Sequence, residues 1–406
     1  MDNPSLKDHR QIGQELEIFM IDELAPGTIF WLPKGMTIIK QIEKFIRDQN
    51  EAHGFQEVQT PILVKSNIFQ KSGHFKYYEH HMYNMDIEHE RYSLKPMNCP
   101  ETALIYKSKT RSYRDLPLRY SEYGRLHRRE LSGVVGGLLR VIEFTQDDGH
   151  VFLKNDQLEN EVLNILKWIN QFHALMGFPS KFYLGTKPDK ALGDNKIWQM
   201  AETSLKNALK KSGVNFEIRE KDGVFYGPKI DVDITDVQNR TWTVSTVQAD
   251  FNIPKQFDLE YVNEDGKLQR LVMVHRSIIG SFERFIGTLL EHYQGALPLW
   301  LSPVQVAVLP ISDKATEYSR KVYEKLKEEQ IRADFDTTDK PIGAKIREAT
   351  LQKIPFMCII GSKEEAESVG SSGYFVSVRT REGQDLGQKK LSDFVKGLKE
   401  DIEKKK

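Results

Sequence analysis

The chain has few cysteines, no long apolar segment and no excess of charge of either sign. Its 406 residues include two cysteines, which are too few and too far apart for a disulfide framework. No apolar run approaches the roughly 18 to 20 residues that cross a bilayer, and the first ten residues lack the apolar core of a signal peptide. Lysine plus arginine equals aspartate plus glutamate at 58 each, so any surface for polynucleotides must be local. We therefore expect a cytoplasmic protein with no membrane role.

Length and hydrophobic periodicity predict more than one domain. A chain of 406 residues with 39% hydrophobic and 29% charged residues is long for one core. From about Thr28 to Pro298, helical and strand patterns mix without regular alternation, which is typical of an α+β domain built on antiparallel strands. The helices predicted here are Thr37–Asn50, Ser204–Lys211 and Gly280–Tyr293; the strands are Phe55–Leu63, Lys181–Leu184, Ile230–Ile234, Trp242–Phe251 and Leu271–His275.

After Pro298 the pattern changes to strands that alternate with helices. Val304, Val306 and Val308 alternate as in a strand, and Phe356–Ile360 predicts another. Alternation of this kind favours a small, mostly parallel α/β domain of about 100 residues. We therefore expect two domains, residues 1–300 and residues 301–406.

The two cysteines lie in different surroundings. Cys358 falls within an apolar, strand-like run and is expected to be a buried small hydrophobe. Cys99 lies between Asn98 and Pro100 in what we predict to be a polar turn. With His150 and His275 it forms a Cys, His, His set, which would leave one position of a tetrahedral zinc open for substrate. Spacing alone would not nominate these ligands, since no two lie within one helical turn or hairpin.

Arginines recur in short segments with acidic neighbours. Ser121–Glu130 by itself would be taken for a solvated, charged hairpin. Together with Arg140 and Gly280–Gly287, it resembles motifs two and three of class II aminoacyl-tRNA synthetases, and Gln59–Pro61 resembles motif one. An array of arginines suits ATP, because guanidinium groups hold phosphate oxygens bidentately and stay charged.

More specific segments extend this similarity from Lys7 to the C-terminus. The chain resembles the threonyl-tRNA synthetases in Asp8–Gly13, Ala25–Gly27, Lys71–His74, Lys95–Pro100, Tyr113–Leu118, Phe225–Ile230, Thr246–Phe251 and Val378–Arg381. It departs from that family where Arg129 replaces a usual Asn, where Glu101 and Thr102 replace a common Gly-His pair, and where Ile142 replaces a frequent second arginine. None of these departures removes a metal ligand or either principal ATP arginine.

The resemblance implies a catalytic domain with a class II antiparallel sheet and flanking helices, and a threonine–tRNA ligase activity. Threonine would be activated with ATP to an adenylate and transferred to the 3′ end of tRNA(Thr). The site residues that it implies are Arg128, Arg284 and His74 as catalytic; Arg128, Glu130, Arg140 and Arg284 for ATP; Met97, Gln146, Asp148, Tyr226, Lys229 and Gln248 for threonine; and Cys99, His150 and His275 for one zinc ion.

The same resemblance implies cofactors and partners. Magnesium would accompany ATP, and zinc would take the amino group and hydroxyl of threonine. A homodimer is implied through motif one. Many threonine enzymes remove misattached serine with an N-terminal editing domain, whereas this sequence begins almost at the catalytic domain. We therefore expect seryl-tRNA to form and a separate editing protein to correct it, or the error to be tolerated.

The C-terminal segment resembles the small α/β anticodon-binding domain shared by several class IIa enzymes. The side chains expected to face the anticodon are Arg381, Lys345, Arg347 and Glu367. Two other functions remain open on the residues alone: a class IIa enzyme for proline or serine, and a synthetase-like RNA-binding or regulatory protein without catalysis. The zinc ligands argue against the first, and the retained arginines argue against the second.

Overall fold

The computed structural model describes residues 6–131, 133–236, 238–370 and 373–406. The chain divides into two compact units. One unit consists of residues 1–20, 30–45 and 289–406, and the other of residues 21–29 and 46–288. We call these the terminal unit and the central unit. No helix among the described residues is both long enough and apolar enough to span a membrane.

Strands and helices alternate irregularly along the chain. In the described residues the strands are β1 Phe19–Met20, β2 Phe30–Trp31, β3 Gln56–Glu57, β4 Leu63–Lys65, β5 Tyr83–Ile87, β6 Glu90–Leu94, β7 Leu118–His127, β8 Glu143–Leu153, β9 Ser180–Gly185, β10 Phe216–Arg219, β11 Lys229–Thr235, β12 Thr241–Asp250, β13 Glu260–Val262, β14 Leu268–Arg270, β15 Val272–Ser277, β16 Val306–Pro310, β17 Ala333–Phe335, β18 Phe356–Ile360, β19 Phe375–Thr380 and β20 Asp385–Lys390. The α-helices are α1 His9–Glu15, α2 Pro33–Ala52, α3 Asn67–Lys71, α4 His74–Tyr78, α5 Cys99–Lys107, α6 Leu158–Leu175, α7 Asn195–Ser212, α8 Asn252–Gln256, α9 Phe282–His292, α10 Thr316–Glu328, α11 Ile342–Leu351, α12 Ser362–Gly370 and α13 Leu391–Glu403.

The central unit is organised around an eight-stranded sheet. Its strand order is β10-β9-β11-β12-β15-β8-β7-β3. The five pairings from β9 to β7 are antiparallel, and only the two edge pairings, β10 with β9 and β3 with β7, are parallel. This confirms the predicted α+β class with a largely antiparallel sheet.

Helix α6 covers part of this sheet because one of its faces is apolar. Val162, Ile165, Leu166 and Ile169 recur at helical spacing, and all are at most 3% exposed. The helix packs against α7 and against strands β12 and β15. Burying four such side chains contributes about 1.5 to 3 kcal/mol each before conformational entropy is counted. The sheet that carries the site therefore rests on a rigid support.

One predicted strand in this unit is largely absent. Only Gln56–Glu57 of the predicted segment Phe55–Leu63 is a strand, with Leu63 beginning the next one. Pro61 cannot donate to a ladder, and the backbone N–H of Thr60 donates to the carboxylate of Glu122, 2.8 Å away, instead of to a strand. The pattern of apolar residues did not reveal this side-chain bond.

The terminal unit contains a five-stranded sheet in the order β17-β16-β18-β19-β20. Strand β16 is buried on both faces, with Val306 and Val308 in one cluster and Ala307 and Leu309 in another. The expectation of a mostly parallel sheet was wrong, because β18–β19 and β19–β20 pair antiparallel. Strand β20 is polar, and each of its residues is exposed or half-buried, so its sequence lacked the apolar run of a central strand. Cys358 is fully buried in β18, as predicted.

Candidate active site

A single cavity of about 620 Å³ in the central unit is lined by every residue that the sequence nominated for catalysis, ATP, substrate or metal. These residues come from strands, helices and loops that are distant along the chain. They are His74, Met97, Cys99, Arg128, Glu130, Arg140, Gln146, Asp148, His150, Tyr226, Lys229, Gln248, His275 and Arg284. The tertiary structure thus brings together fourteen side chains that spacing alone could not connect.

The floor of this cavity is a row of side chains across four neighbouring strands. Lys229 pairs with Gln248, Gln248 pairs with His275, and His275 pairs with His150. Gln146, Asp148 and His150 alternate along β8, so they lie on the same face as one another. A slip of one residue in register would turn each of these side chains to the other face of the sheet.

On the face of the sheet opposite these residues, a close contact between Arg276 and Gly149 fixes the register of β8 and β15. Arg276 and Gly149 pair directly, and a Cβ on Gly149 would lie 2.4 Å from Arg276 Nε. The fully buried guanidinium of Arg276 donates to the carboxylate of Asp147, 2.5 Å away. It also lies over the rings of Phe55 and Trp168. A side chain larger than glycine at position 149 would displace the arginine, so this contact favours a single register.

Cys99, His150 and His275 offer ligand atoms that lie within 4.8 Å of one another, and all three residues are buried. Cys99 is the first residue of α5, so the polar turn predicted around it is in fact a helix start, with Pro100 in the first turn. Burial raises the pKa of the Cys99 thiol well above its usual value and lowers that of His150 well below its usual value. Both groups are therefore neutral at physiological pH, and a metal ion would bind His150 as it stands but would require Cys99 to lose its proton.

The surroundings of Cys99, His150 and His275 fit the requirements of a zinc ion. His150 Nε2 is buried and has no hydrogen-bond partner among the described residues, which is costly unless something binds there. His275 Nε2 lies 2.9 Å from Asp250 Oδ2, which leaves its Nδ1 available. A carboxylate on the second ring nitrogen is the usual support of a metal-bound histidine. A thiolate and two neutral imidazoles are donors that zinc binds at about 2.0 to 2.3 Å.

Two supporting residues escaped the sequence analysis. Asp250 holds His275, and Asn98 Nδ2 donates to Asp148 Oδ2 at 3.0 Å. Asp250 follows Gln248 by two positions on β12, so strand alternation could have placed it on the face of the site. Asn98 packs onto Gly124, where a Cβ would lie 2.2 Å from the amide oxygen. Nothing in its local sequence signals that contact.

Arginines line the cavity as well. Arg128 Nε donates to Pro96 O at 3.1 Å, and Arg284 Nε donates to Leu139 O at 3.0 Å. Burial lowers the pKa of Arg284, and the charges of Arg128 and Arg140 lower it further. Arg140 Nε and Nη2 both donate to one carboxylate oxygen of Glu130, Oε2, at 3.0 and 2.8 Å. A concentration of cations of this kind favours the binding of an anionic group.

The remaining substrate candidates form a polar wall. The hydroxyl of Tyr226 donates to the Gln248 amide oxygen. Lys229 Nζ lies 2.6 Å from Asp231 and 3.3 Å from Asp222. Gly227 permits this arrangement, because a Cβ there would lie 1.6 Å from the carbonyl oxygen of Ala249. Met97 packs against the apolar cluster that contains Cys99.

His74 is the first residue of the short helix α4 and is only 2% exposed. Its Nδ1 lies 2.8 Å from Ser72 Oγ, and its ring contacts Phe225 and Tyr226 edge-on. Burial lowers the pKa of His74 to about 4. The imidazole is therefore neutral at physiological pH and able to accept a hydrogen bond.

The four residues nominated for anticodon binding differ in how far their side chains are exposed. Arg347 and Glu367 are exposed. Lys345, in contrast, is 4% exposed, and its Nζ donates to Pro310 O at 3.2 Å and lies 3.7 Å from Asp336. Arg381 donates to the carbonyls of Leu297 and Lys353. The expectation that Lys345 faces a base conflicts with its burial, because a base would have to displace those partners.

The residues that depart from the family pattern differ in burial and in hydrogen bonding. Thr102 is fully buried, and its hydroxyl donates to Asn98 O at 3.0 Å. Glu101 is 4% exposed, and neither of its carboxylate oxygens has a hydrogen-bond partner among the described residues. Burial raises the pKa of Glu101 to about 8. Ile142 contributes its carbonyl to Arg128 N, whereas the side chain of Arg129 is exposed.

Two family matches cover most of the chain. Residues 83–293 match the tRNA synthetase class II core domain (G, H, P, S and T), and residues 305–401 match an anticodon binding domain. The first match contains every residue that lines the cavity except His74 and Tyr78. The second contains all four residues nominated for the anticodon.

Individual proteins are similar over nearly the whole chain. The threonine–tRNA ligases of Carboxydothermus hydrogenoformans and Caldanaerobacter subterraneus are 45% and 46% identical over 98% and 99% of this chain, which spans 62% of the length of each. A crystal structure described as the RNA binding domain of threonyl-tRNA synthetase from Cryptosporidium parvum has a TM-score of 0.92 and 36% identity, covering 97% of this chain and 98% of that one. A putative threonyl-tRNA synthetase from Aeropyrum pernix has a TM-score of 0.84 at 25% identity, with 98% and 97% coverage.

Proposed function

We propose, from the premise that this chain belongs to the class II tRNA synthetase family, that it is a threonine–tRNA ligase. The proposal rests on one observation: a group of arginines and a group of metal-binding side chains line the same cavity. Arg128, Arg140 and Arg284 supply a site for a polyphosphate, and the Cys99, His150 and His275 set supplies a site for one metal ion. A nucleotide and a small metal-binding substrate could therefore meet there.

The first step would be activation of threonine. Arg128 and Arg284 would hold the α- and γ-phosphates of ATP, with Arg140 on the bent triphosphate and Glu130 at the adenine, and magnesium bound with ATP would neutralise part of the phosphate charge. The threonine carboxylate would attack the α-phosphorus in line, and pyrophosphate would leave. This step requires position and charge neutralisation more than a protein base. Opening the Glu130–Arg140 ion pair would free both side chains for the nucleotide.

Recognition of threonine would centre on the metal site. Cys99, His150 and His275 would hold zinc, which when bound supplies coordination for the amino group and hydroxyl of the substrate. Asp148, held by Asn98, would accept a hydrogen bond from the amino group. Gln146, Tyr226, Lys229, Gln248 and Met97 would enclose the rest of the molecule.

The second step would transfer threonine to the terminal ribose of tRNA(Thr). His74, neutral and buried at the cavity wall, would orient the attacking hydroxyl or accept its proton. We further propose a catalytic domain over residues 1–300, an anticodon-binding domain over residues 301–406 with Arg347, Glu367 and Arg381 as candidate contacts, a homodimer, and a cytoplasmic location.

Selectivity against serine is proposed to be weak. Serine retains the hydroxyl and lacks only a methyl, which is worth about 1 to 3 kcal/mol in a pocket. We therefore propose that these 406 residues form seryl-tRNA at an appreciable rate.

Threonine-dependent exchange of pyrophosphate into ATP, with and without a chelator, tests the proposed function. Exchange with threonine that the chelator abolishes and added zinc restores is the expected result. Exchange that depends on proline or serine instead would indicate another class IIa specificity. The absence of any amino-acid-dependent exchange, with tRNA binding retained, would favour a regulatory RNA-binding protein.

A further inference from the structure

Asp147 lies on the face of the eight-stranded sheet opposite the active-site cavity. It stands between Gln146 and Asp148 on β8, both of which line that cavity, and strand alternation turns its side chain the other way. Asp147 is 0% exposed, so its side chain does not touch a substrate in the cavity. A buried carboxylate is costly unless it is paired and hydrogen-bonded. Its partners therefore indicate what it holds in place.

One oxygen of this carboxylate holds the strand that carries His275. Asp147 Oδ1 accepts from Arg276 Nη1 at 2.5 Å, and Arg276 directly follows His275 on β15. The same guanidinium donates through Nη2 to Asn50 Oδ1, and Asn50 is a buried residue of α2. The guanidinium is thus fixed from two sides. Because the two residues are neighbours in the chain, fixing Arg276 also fixes the backbone that places His275.

The other oxygen holds the segment that leads to Arg284. Asp147 Oδ2 accepts from the backbone N–H of Ile278 at 2.8 Å. The backbone of Asp147 adds two further bonds, since its carbonyl accepts from Ser277 Oγ at 2.6 Å and its N–H donates to Gly280 O at 3.0 Å. Helix α9, which carries Arg284, begins shortly after this segment. Asp147 therefore contacts the backbone that introduces the arginine at three points.

Another buried carboxylate pairs with the same sheet but not with the site. Glu161 of α6 is 6% exposed and accepts from Arg119 Nε and Nη2 at 2.7 and 2.6 Å. Arg119 lies on β7, and neither residue of this pair belongs to the described lining of the active-site cavity. Asp147 differs, because both of its oxygens are bonded to segments that carry residues of that lining.

We propose that Asp147 is a positioning residue that acts through Arg276 and through the segment 277–280. It sets the place of the metal ligand His275 on one side and of the helix that carries Arg284 on the other, so the amino-acid site and the nucleotide site keep a fixed separation. This inference rests on the proposed function, since it assigns to Asp147 the geometry that this function requires. A misplacement of about 1 Å at reacting groups can lower a rate by about 10²-fold.

The test compares Asp147→Asn with Glu161→Gln in the full chain. Asparagine keeps the size of the side chain but turns an amide NH2 toward Arg276 or toward the backbone N–H of Ile278, so one donor loses its acceptor. Competition with a chelating dye is expected to show a zinc affinity about tenfold weaker in Asp147→Asn than in the wild type. Glu161→Gln should keep the wild-type zinc affinity, although the urea midpoints of both variants should fall.

Kinetics separate positioning from a loss of folded protein. With active sites counted by titration, the kcat for threonine-dependent pyrophosphate exchange should fall by about 10²-fold in Asp147→Asn, and the KM for threonine should rise. A merely structural role would lower the number of active sites and leave the kcat per site and both KM values unchanged. That second result is the one expected for Glu161→Gln.

An unchanged zinc affinity and kcat per site in Asp147→Asn would overturn the inference. So would equal losses in Glu161→Gln, because they would show that removal of any buried carboxylate from this sheet disturbs the site. Should Asp147→Asn fail to fold, Arg276→Lys gives the same test, since a lysine keeps the charge but lacks the fork that bonds both Asp147 and Asn50. Its zinc affinity should fall several-fold, and an unchanged affinity would overturn the inference.

Failure of the proposed function would look different. The wild-type chain would then lack threonine-dependent exchange, while the zinc affinities of the variants would still decide the inference. A wild-type chain that binds no zinc would overturn the inference together with the metal site.

Discussion

Lys95 Nζ lies 2.9 Å from Glu122 Oε1, and each side chain is only 1% exposed. The same ammonium donates to the carbonyl and hydroxyl oxygens of Thr60, and Glu122 also accepts the N–H of Thr60. These bonds join the loop before β4, the strand β7 and the segment that leads to Cys99. The pair therefore ties the segment that leads to Cys99 to the sheet.

Lys95→Met should destabilise the central unit by about 3 to 5 kcal/mol, because it leaves the charge of Glu122 buried without its partner. The double variant Lys95→Met with Glu122→Gln should be more stable than the single variant, since the amide is neutral and still accepts from Thr60. Urea unfolding measures both. Lys65→Met breaks the exposed pair with Glu90 and should hardly move the midpoint. Equal midpoints for Lys95→Met and Lys65→Met would contradict the prediction.

Cys99→Ala should remove bound zinc, because the thiolate is one of three proposed protein ligands. Elemental analysis of folded protein, with folding checked by circular dichroism, measures this. Cys358→Ala is the natural control, since Cys358 is the other cysteine and is buried in β18 of the terminal unit. It should keep about one zinc per chain. Stoichiometric zinc in Cys99→Ala would rule out the proposed site.

Discrimination among amino acids should be strongly unequal. Valine lacks a hydroxyl and would leave a polar site unmatched, so its pyrophosphate exchange should fall by about 10⁴-fold or more relative to threonine. Serine should fall by only about 10- to 200-fold, the range for one missing methyl group. The ratio of kcat/KM values measures both. Valine activation within tenfold of threonine would show that the hydroxyl is not recognised.

Glu283 should make stability fall as pH rises. Burial raises the pKa of Glu283 to about 8, above its usual value of 4.5, despite the backbone N–H of Thr145 that donates to it. Between these values the folded state holds a proton that the unfolded state has released, so the contribution of Glu283 to stability is fully present below pH 4.5 and is lost as the pH rises toward 8.

Glu283→Gln should flatten that decline, since glutamine cannot ionise. The variant should therefore gain stability over the wild type at pH 8, by at least about 1 kcal/mol, and match it near pH 4. Urea midpoints at the two pH values measure this. Glu264→Gln, at an exposed position, should follow the wild-type curve. A steep decline that persists in Glu283→Gln would assign the pH dependence to other groups.

Much of the fold could be predicted from the amino-acid sequence. Apolar residues recurring with periods of 3.6 and 2 residues predicted helix α2 and strands β9, β11, β12 and β15. Burial of one face of a helix or strand imposes these periods on the local sequence. Residue types and their flanking segments also nominated Cys99, His150, His275 and the three arginines, and one cavity contains them all.

Only the tertiary structure decided which of those side chains meet. The order β11-β12-β15-β8 places strands from distant parts of the sequence side by side. The alternation of residues along a strand indicates which of them share a face, but it does not indicate which strands are neighbours. The Asp250 support of His275, the Lys95–Glu122 pair and the burial of Lys345 all depend on such non-local pairing. Alternation along one segment can be derived from sequence, whereas contacts between segments are set by how the whole core packs.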